Sequence, residues 1–335
     1  MRTGIPLPRI LPLLLFLGFA FISPFAVTAQ ENGFRLGIIG LDTSHAVAFT
    51  QQINDPANRY GCRVVAAFPG GSPDIPESVN RMGEYVKKLR DDFHVEMVNS
   101  VEELCGKVDG ILLESVDGRP HLTQVKPVFA AGKPVFIDKP AAGSLRDVIE
   151  IFRLAREANV PCWSASSLRF SEGIAGARHD PRFGAILGCD AFSPCALEPH
   201  HPDLFWYGIH GVETLFTIMG SGCGTVRRVQ SGDYEHVVGI WNDGRIGTFR
   251  GLRAGKHDYG AYVYGINGVT PSGGYTGFAP LVEEIVKFFG TGIAPVSPEE
   301  TIEIYAFMAA ADESKAKGGA PVSLKEVIAK AERAR

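Results

Sequence analysis

The chain has 335 residues, 45% of them apolar, enough to bury a substantial core and more in keeping with two domains than one. Its 33 basic and 37 acidic residues leave a net charge of −4, so the chain carries no basic footprint for a nucleic acid. Nothing in this composition marks a disordered chain.

At the N-terminus, Arg2 and Arg9 supply a positive region ahead of an apolar run from Ile10 to Ile22, and Val27-Thr28-Ala29 offers a small-residue cleavage site before Gln30. That order is the order of a secretory signal, so residues 1–29 are expected to direct export to a periplasmic or other extracytoplasmic space. An uncleaved membrane anchor is the alternative. Cleavage would leave 31 basic against 37 acidic residues, a mature charge of −6, and no further stretch apolar enough for stable membrane insertion. Six cysteines (Cys62, Cys105, Cys162, Cys189, Cys195 and Cys223) lie beyond the signal, and none shows C-x-x-C spacing. Buried free thiols are expected for most of them.

From Phe34, short β-rich runs alternate with helical patterns. Strands are predicted at Arg35 to Ile39, Arg63 to Phe68, Val95 to Val98, Gly110 to Ser115, Val135 to Ile137 and Cys162 to Ser166. Helices are predicted between them at Ala46 to Ile53, Pro76 to Phe93, Val101 to Gly106, His121 to Ala131 and Leu145 to Ala158. Such alternation implies a doubly wound α/β domain with a parallel sheet, taken as residues 34–168. Residues 169–335 read differently. A helix from Leu204 to Met219 precedes β runs over Thr225 to Gly251 and Ala261 to Gly268, with hairpin turns at Asn242 to Arg245 and at Gly251 to Gly255. Helices follow at Phe278 to Phe289 and Pro298 to Ala316, the second opened by the capping box Ser297-Pro-Glu-Glu300. An α+β domain with an open, mainly antiparallel sheet is expected there.

The first strand and its turn, Arg35-Leu-Gly-Ile-Ile-Gly40-Leu-Asp42-Thr-Ser-His45, have the form of a phosphate-binding strand and turn. Gly40 holds the first glycine position, but Asp42 and His45 stand where the second and third belong. A carboxylate about 4 Å from a pyrophosphate charge costs roughly 4 kcal/mol at an effective dielectric of about 20, near a thousandfold in affinity. Asp42 escapes that cost by turning away, by protonation or by holding a cation; it is equally suited to capping the next helix.

Several segments together resemble the Gfo/Idh/MocA oxidoreductase family over nearly the whole mature chain. They are the Gly37-Ile-Ile-Gly40 turn, Ala131-Gly-Lys-Pro-Val-Phe-Ile-Asp-Lys-Pro140, Ser167-Leu-Arg-Phe170, Tyr207-Gly-Ile-His-Gly-Val-Glu213 and Asp312 to Val322. The resemblance implies an N-terminal Rossmann domain for NAD or NADP, followed by a domain that shapes a sugar or polyol pocket and contributes a sheet for homo-oligomers. It makes Lys139 and His210 the catalytic lysine and histidine, with Asp138 in place of the family's glutamate and His121 opening the preceding helix. Glu213 joins them as a candidate carboxylate, because Trp206 stands where the family has an aspartate. Cofactor contacts are expected from Gly37, Gly40, Leu41, Asp42, Thr43, Ser44, His45, Ser115, His121 and Asp138. Substrate contacts are expected from Arg169, His201, Trp206 and Tyr207, with Trp163 and Phe205 as further stacking surfaces. No acid ends the second strand, where Phe68-Pro-Gly-Gly71 stands instead of a ribose-binding carboxylate.

Two functions from different classes follow. One is hydride transfer between a sugar or polyol and NAD(P), with Lys139 and His210 managing the hydroxyl proton. The other is a cofactor-free, exported carbohydrate-binding or carbohydrate-processing protein, in one version with a metal at Asp42, His45 and His200; otherwise no metal is expected.

Overall fold

The computed structural model describes Met1 and residues 33–334. Apart from Met1, the proposed signal segment lies outside the described residues. The first sheet is parallel, built from β1 (Phe34–Ile39), β2 (Cys62–Phe68), β3 (Glu96–Met97), β4 (Gly110–Leu113), β5 (Val135–Asp138) and β6 (Cys162–Ala165) in the order β3-β2-β1-β4-β5-β6. Strands β4 and β5 and the edge strand β6 are buried at every residue, which is why they read as apolar runs without alternation. The crossover helices are α1 (Ser44–Asn54), α2 (Pro76–Phe93), α3 (Val101–Cys105), α4 (His121–Ala130) and α5 (Leu145–Glu157). Local chemistry sets their ends. Pro76 opens α2, His94 closes it in the left-handed region, and Ser144 caps α5 by accepting from the Asp147 amide at 3.1 Å.

The second sheet contains β7 (Ile186–Pro194), β8 (Cys223–Ser231), β9 (Tyr234–Trp241), β10 (Ile246–Leu252), β11 (Gly260–Gly265), β12 (Val269–Pro271) and β13 (Val322–Ser323). Their order is β12-β11-β7-β10-β9-β8-β13, antiparallel except where β10 runs parallel to β7. The helices here are α6 (Ile209–Met219), α7 (Ala279–Thr291), α8 (Pro298–Ala316) and α9 (Leu324–Arg333). Ser297 accepts from the Glu300 amide at 3.1 Å, the capping box at the head of α8.

Three expectations need correction. β7 was not anticipated, although it is an interior strand of its sheet; Gly188 and Pro194 break up an otherwise plain strand signal. Because β7 separates β10 from β11, the Gly251–Gly255 turn joins no hairpin, whereas Asn242–Arg245 does link the paired strands β9 and β10. Residues 204–208 form turns, and α6 begins only at Ile209.

α7 returns to the first sheet. Its Leu281, Val282, Ile285 and Phe288 share one buried cluster with Leu36, Ile38, Phe136 and Trp163, so the second half of the chain covers a face of the first-half sheet. All six cysteines are free, five of them buried, and burial raises the Cys62 thiol to about 11. Among the described residues, no helix is long and apolar enough to cross a membrane.

Candidate active site

The turn after β1 keeps one feature of a phosphate seat. Gly40 has φ +92°, and a Cβ there would meet the Ser115 amide at 2.3 Å, so only glycine fits. Gly37, expected at the cofactor, is instead a strand glycine under α3, where Leu104 takes the space of a Cβ. Leu41 is core, and its amide donates to the Pro69 carbonyl at 2.8 Å. Thr43 is the N-cap of α1, accepting from the His45 amide at 3.4 Å, and Ser44 is exposed. Asp42 therefore does not cap the helix. It is fully buried and points the other way, accepting from the Ser78 hydroxyl at 2.6 Å and from the Val116 amide at 3.0 Å.

Around Asp42 lies a polar net that the sequence did not disclose. Ser72 donates to Asp117 at 2.6 Å, and Arg119 bridges Asp117 (2.7 Å) and Asp74 (2.8 Å). His201 reaches the same point from the second domain, its Nε2 3.1 Å from Asp117 Oδ1 and 3.2 Å from the Gly118 amide nitrogen, and its Nδ1 3.0 Å from Glu198. Burial alone would raise the Asp117 carboxyl, but the bonds from His201, Arg119 and Ser72 outweigh it and hold the group far below the usual range.

His45 occupies the third glycine position and fills the gap between α1 and the end of β5. Its Nδ1 lies 2.5 Å from Asp138 Oδ2, and Phe278 packs edge-on against its ring at 4.6 Å. Burial pushes Asp138 up, yet the adjacent His45 and Lys139 bring it below the ordinary carboxylate range. Nearby Glu114, at the end of β4, is fully buried with both carboxyl oxygens unpartnered. Burial, and then the charge of Asp138, raise its pKa well above 4.5, which favours the protonated acid. His121 joins the Ser115 and Ala141 carbonyls at 2.9 and 3.2 Å, tying together the loops after β4 and β5, and Ser115 donates to Gln124 at 3.1 Å.

The opposite wall is differently made. Lys139 Nζ lies 5.5 Å from the centre of the Tyr207 ring and, among the described residues, has no carboxylate or hydrogen-bond partner. Tyr207 contacts the His210 ring edge-on at 5.1 Å, and its hydroxyl accepts from Tyr259 at 3.4 Å. His210 is buried, with Nδ1 2.7 Å from the Ser166 hydroxyl and no hydrogen bond at Nε2. Burial, then the charge of Lys139, depress its pKa well below 6.5, so the imidazole is neutral at neutral pH. Tyr259 was passed over in the sequence, because a tyrosine at a turn has no local signal. Ser166 was missed for the same reason.

Other expected site residues are structural. Arg169 is a buried cation between Glu213 (2.5 Å) and Glu300 (2.8 Å), so neither Arg169 nor Glu213 is free for a substrate. Trp206 packs with Ile75 and Val116, and His201 belongs to the polar net. Trp163 lies in the core against Phe136 and Phe288, and Phe205 packs on Tyr305. Asp42, His45 and His200 do not converge as a metal site. Their partners are Ser78 and Val116, Asp138, and Glu198 respectively.

Residues 34–166 match the Gfo/Idh/MocA family model, an oxidoreductase family with an NAD-binding Rossmann fold. Over those residues, less than half of the chain, the sequence is similar to that family. No curated protein matches the chain by sequence. A probable dehydrogenase from Thermotoga maritima is similar in structure, with 20% identity and a TM-score of 0.70 over 88% of this chain and 99% of that one. So is scyllo-inositol dehydrogenase from Lactobacillus casei with bound NAD(H) and scyllo-inositol (14%, 0.70, 88% and 99%). An oxidoreductase from Agrobacterium radiobacter in complex with NAD+, L-tartaric acid and magnesium gives 16%, 0.69, 88% and 99%. At these identities the likeness establishes the two-domain fold.

On such a fold a dinucleotide runs along the C-terminal edge of the sheet, with its pyrophosphate at the α1 N-terminus and its adenosine toward β2. Gly40 and the unpartnered Thr43 and Ser44 amides suit the pyrophosphate. On the β2 side Ser72, Asp74, Asp117 and Arg119 bond to one another, and Ser78, which accepts from the Ser72 amide and donates to Asp42, joins Asp42 to them. The residues present do not fit a dinucleotide in that pose.

Proposed function

We propose that this protein takes a sugar or polyol into the cleft beside Lys139, Tyr207, His210 and Tyr259 and processes it by acid–base chemistry at a hydroxyl. The observation that carries this reading is a neutral, buried His210 with an unengaged Nε2, next to an unpaired lysine ammonium. With its Nδ1 proton given to Ser166, His210 presents the Nε2 lone pair to a hydroxyl proton. The Lys139 charge stabilises the oxygen as that proton leaves, and the Tyr207 face positions both groups. Tyr259, its proton engaged on Tyr207, keeps an oxygen lone pair to accept from a neighbouring hydroxyl.

A second reading is oxidation of the same hydroxyl with NAD or NADP, favoured by the match of residues 34–166 to an NAD-binding oxidoreductase family and by a structural neighbour solved with NAD(H) and scyllo-inositol. One experiment separates the two: the mature protein is incubated with inositols, sugars and glycosides, with and without NAD+ or NADP+, and products are read by mass spectrometry. Conversion without nucleotide that is lost in Lys139→Ala and His210→Ala supports the first reading. Conversion only with nucleotide, accompanied by reduced-nicotinamide absorbance, overturns it in favour of the second.

The same proposal places the protein outside the cytoplasm, with residues 1–29 as its signal and residues 34–168 and 169–335 as its domains. An N-terminus at Gln30 in protein recovered from a periplasmic extract is the expected result. Self-association through the second sheet belongs to this reading too, supported by the exposed Val229, Ile240, Ile246 and Tyr262. Light scattering of the purified protein tests it.

A further inference from the structure

Three loops meet above the end of β1: the one after β2, the one after β4, and the one between β7 and α6. Every carboxylate at the meeting point is engaged. Asp42 uses both oxygens, on Ser78 and Val116. Asp117 accepts from the Arg119 amide at 2.8 Å, from its guanidinium at 2.7 Å and from Ser72 at 2.6 Å. Arg119 extends the net to Asp74, and His201 and Glu198 bring in the second domain. Asp42, Ser78 and Asp117 are at most 1% exposed, so none of these bonds is an incidental surface contact.

The direction of the net matters as much as its strength. β2 and β4 flank β1 in the sheet, so a chain of bonds from Ser72 and Asp74 to Asp117 crosses β1 along the line a dinucleotide would take. A nucleotide entering there would strip donors from two buried carboxylates at once, and each loss is costly. It would also bring its pyrophosphate to a place where Asp42, Asp74, Asp117 and Glu198 outnumber the single Arg119. We infer that the cofactor seat of this fold has become a polar bolt, one that fixes the three loops to each other and to the second domain and leaves no NAD or NADP bound across β1.

The inference stands apart from the proposed carbohydrate chemistry, and its test keeps the two distinct. Trp206 packs on Val116 and Ile75 beside the bolt, so its fluorescence reports on this corner. The mature protein is titrated with NADH and NADPH, following energy transfer from tryptophan to nicotinamide, and the same samples are titrated with a polyol panel by calorimetry. The expected result is no saturation up to about 1 mM nucleotide in the wild type, a Kd weaker than the millimolar range. Asp42→Gly, which unhooks Val116 and Ser78, should bind at least about tenfold tighter than the wild type. If that variant does not fold by near-UV circular dichroism, Asp74→Ala cuts the link to Arg119 while removing an acid, and carries the same expectation. A micromolar Kd in the wild type overturns the inference, whatever the polyols do. So does a folded variant with no gain in affinity. Absence of polyol binding would count against the proposed function alone.

Discussion

The two walls of the cleft are built from the same kinds of residue and end in opposite states. Around Asp42 and Asp117, acids, an arginine, serines and a histidine pair with each other until no oxygen is left over. Across the cleft, Lys139 has no carboxylate partner, and His210 uses one ring nitrogen and leaves the other free. Buried polar groups that satisfy one another hold a fold together; those left open near a cleft cost stability and are the ones a ligand can complete. Residue type alone would have assigned both walls to ligand binding.

The sharpest way to break that contrast is to remove the open groups. Lys139→Ala and His210→Ala should each lower turnover of the converted sugar or polyol by about a hundredfold or more. The Lys139 change should leave stability within about 0.5 kcal/mol, since its ammonium has no bonded partner. Arg169→Met should do the reverse. It strands Glu213 and Glu300, and urea unfolding should show a loss of about 3–5 kcal/mol. Asp42→Ala leaves the Val116 amide and Ser78 hydroxyl without an acceptor and should cost about 1–3 kcal/mol in the same assay.

Acid sharpens the comparison further. His210 has a folded pKa depressed below its unfolded value near 6.5, so between the two the unfolded chain binds the extra proton. Stability should therefore fall as pH drops below about 6.5, and His210→Gln should flatten that part of the thermal-melt profile. Glu114 runs the other way. Its folded pKa is raised, so the folded state keeps a proton that the unfolded chain releases above about 4.5, and stability is lost as pH rises from there. Glu114→Gln removes that loss. It should raise the Tm by about 2 °C or more at pH 7, with a smaller gain at pH 4.

Much of this was legible in the sequence where the signal is local. The limits of α2 and α8 follow from Pro76 and from the Ser297–Glu300 box, and the buried strands of the first sheet from their unbroken apolar runs. Lys139 and His210 were found through short motifs. What escaped depends on partners distant in sequence: Asp42 meets Ser78 and Val116, 36 and 74 positions on, and Ser72 meets Asp117 after 45. A charged residue in the sequence carries no mark of whether such a partner exists. The sequence therefore presents Arg169 as a substrate contact and Asp42 as a cofactor contact, a cation ligand or a helix cap, and gives no sign of the polar net. β7 was lost for a different reason, since Gly188 and Pro194 read as turn residues within a strand held by neighbours on both sides.

The account turns on which wall receives a ligand, and nuclear magnetic resonance of the protein with 15N-labelled histidine reads both walls in one sample. His210 should remain a neutral imidazole at pH 6, and its ring signals should shift in a saturable way on titration with a converted sugar or polyol. The His201 signals, fixed between Asp117 and Glu198, should stay put on addition of NADH. Saturable movement of His201 with NADH, while His210 stays indifferent to every polyol, would contradict the account.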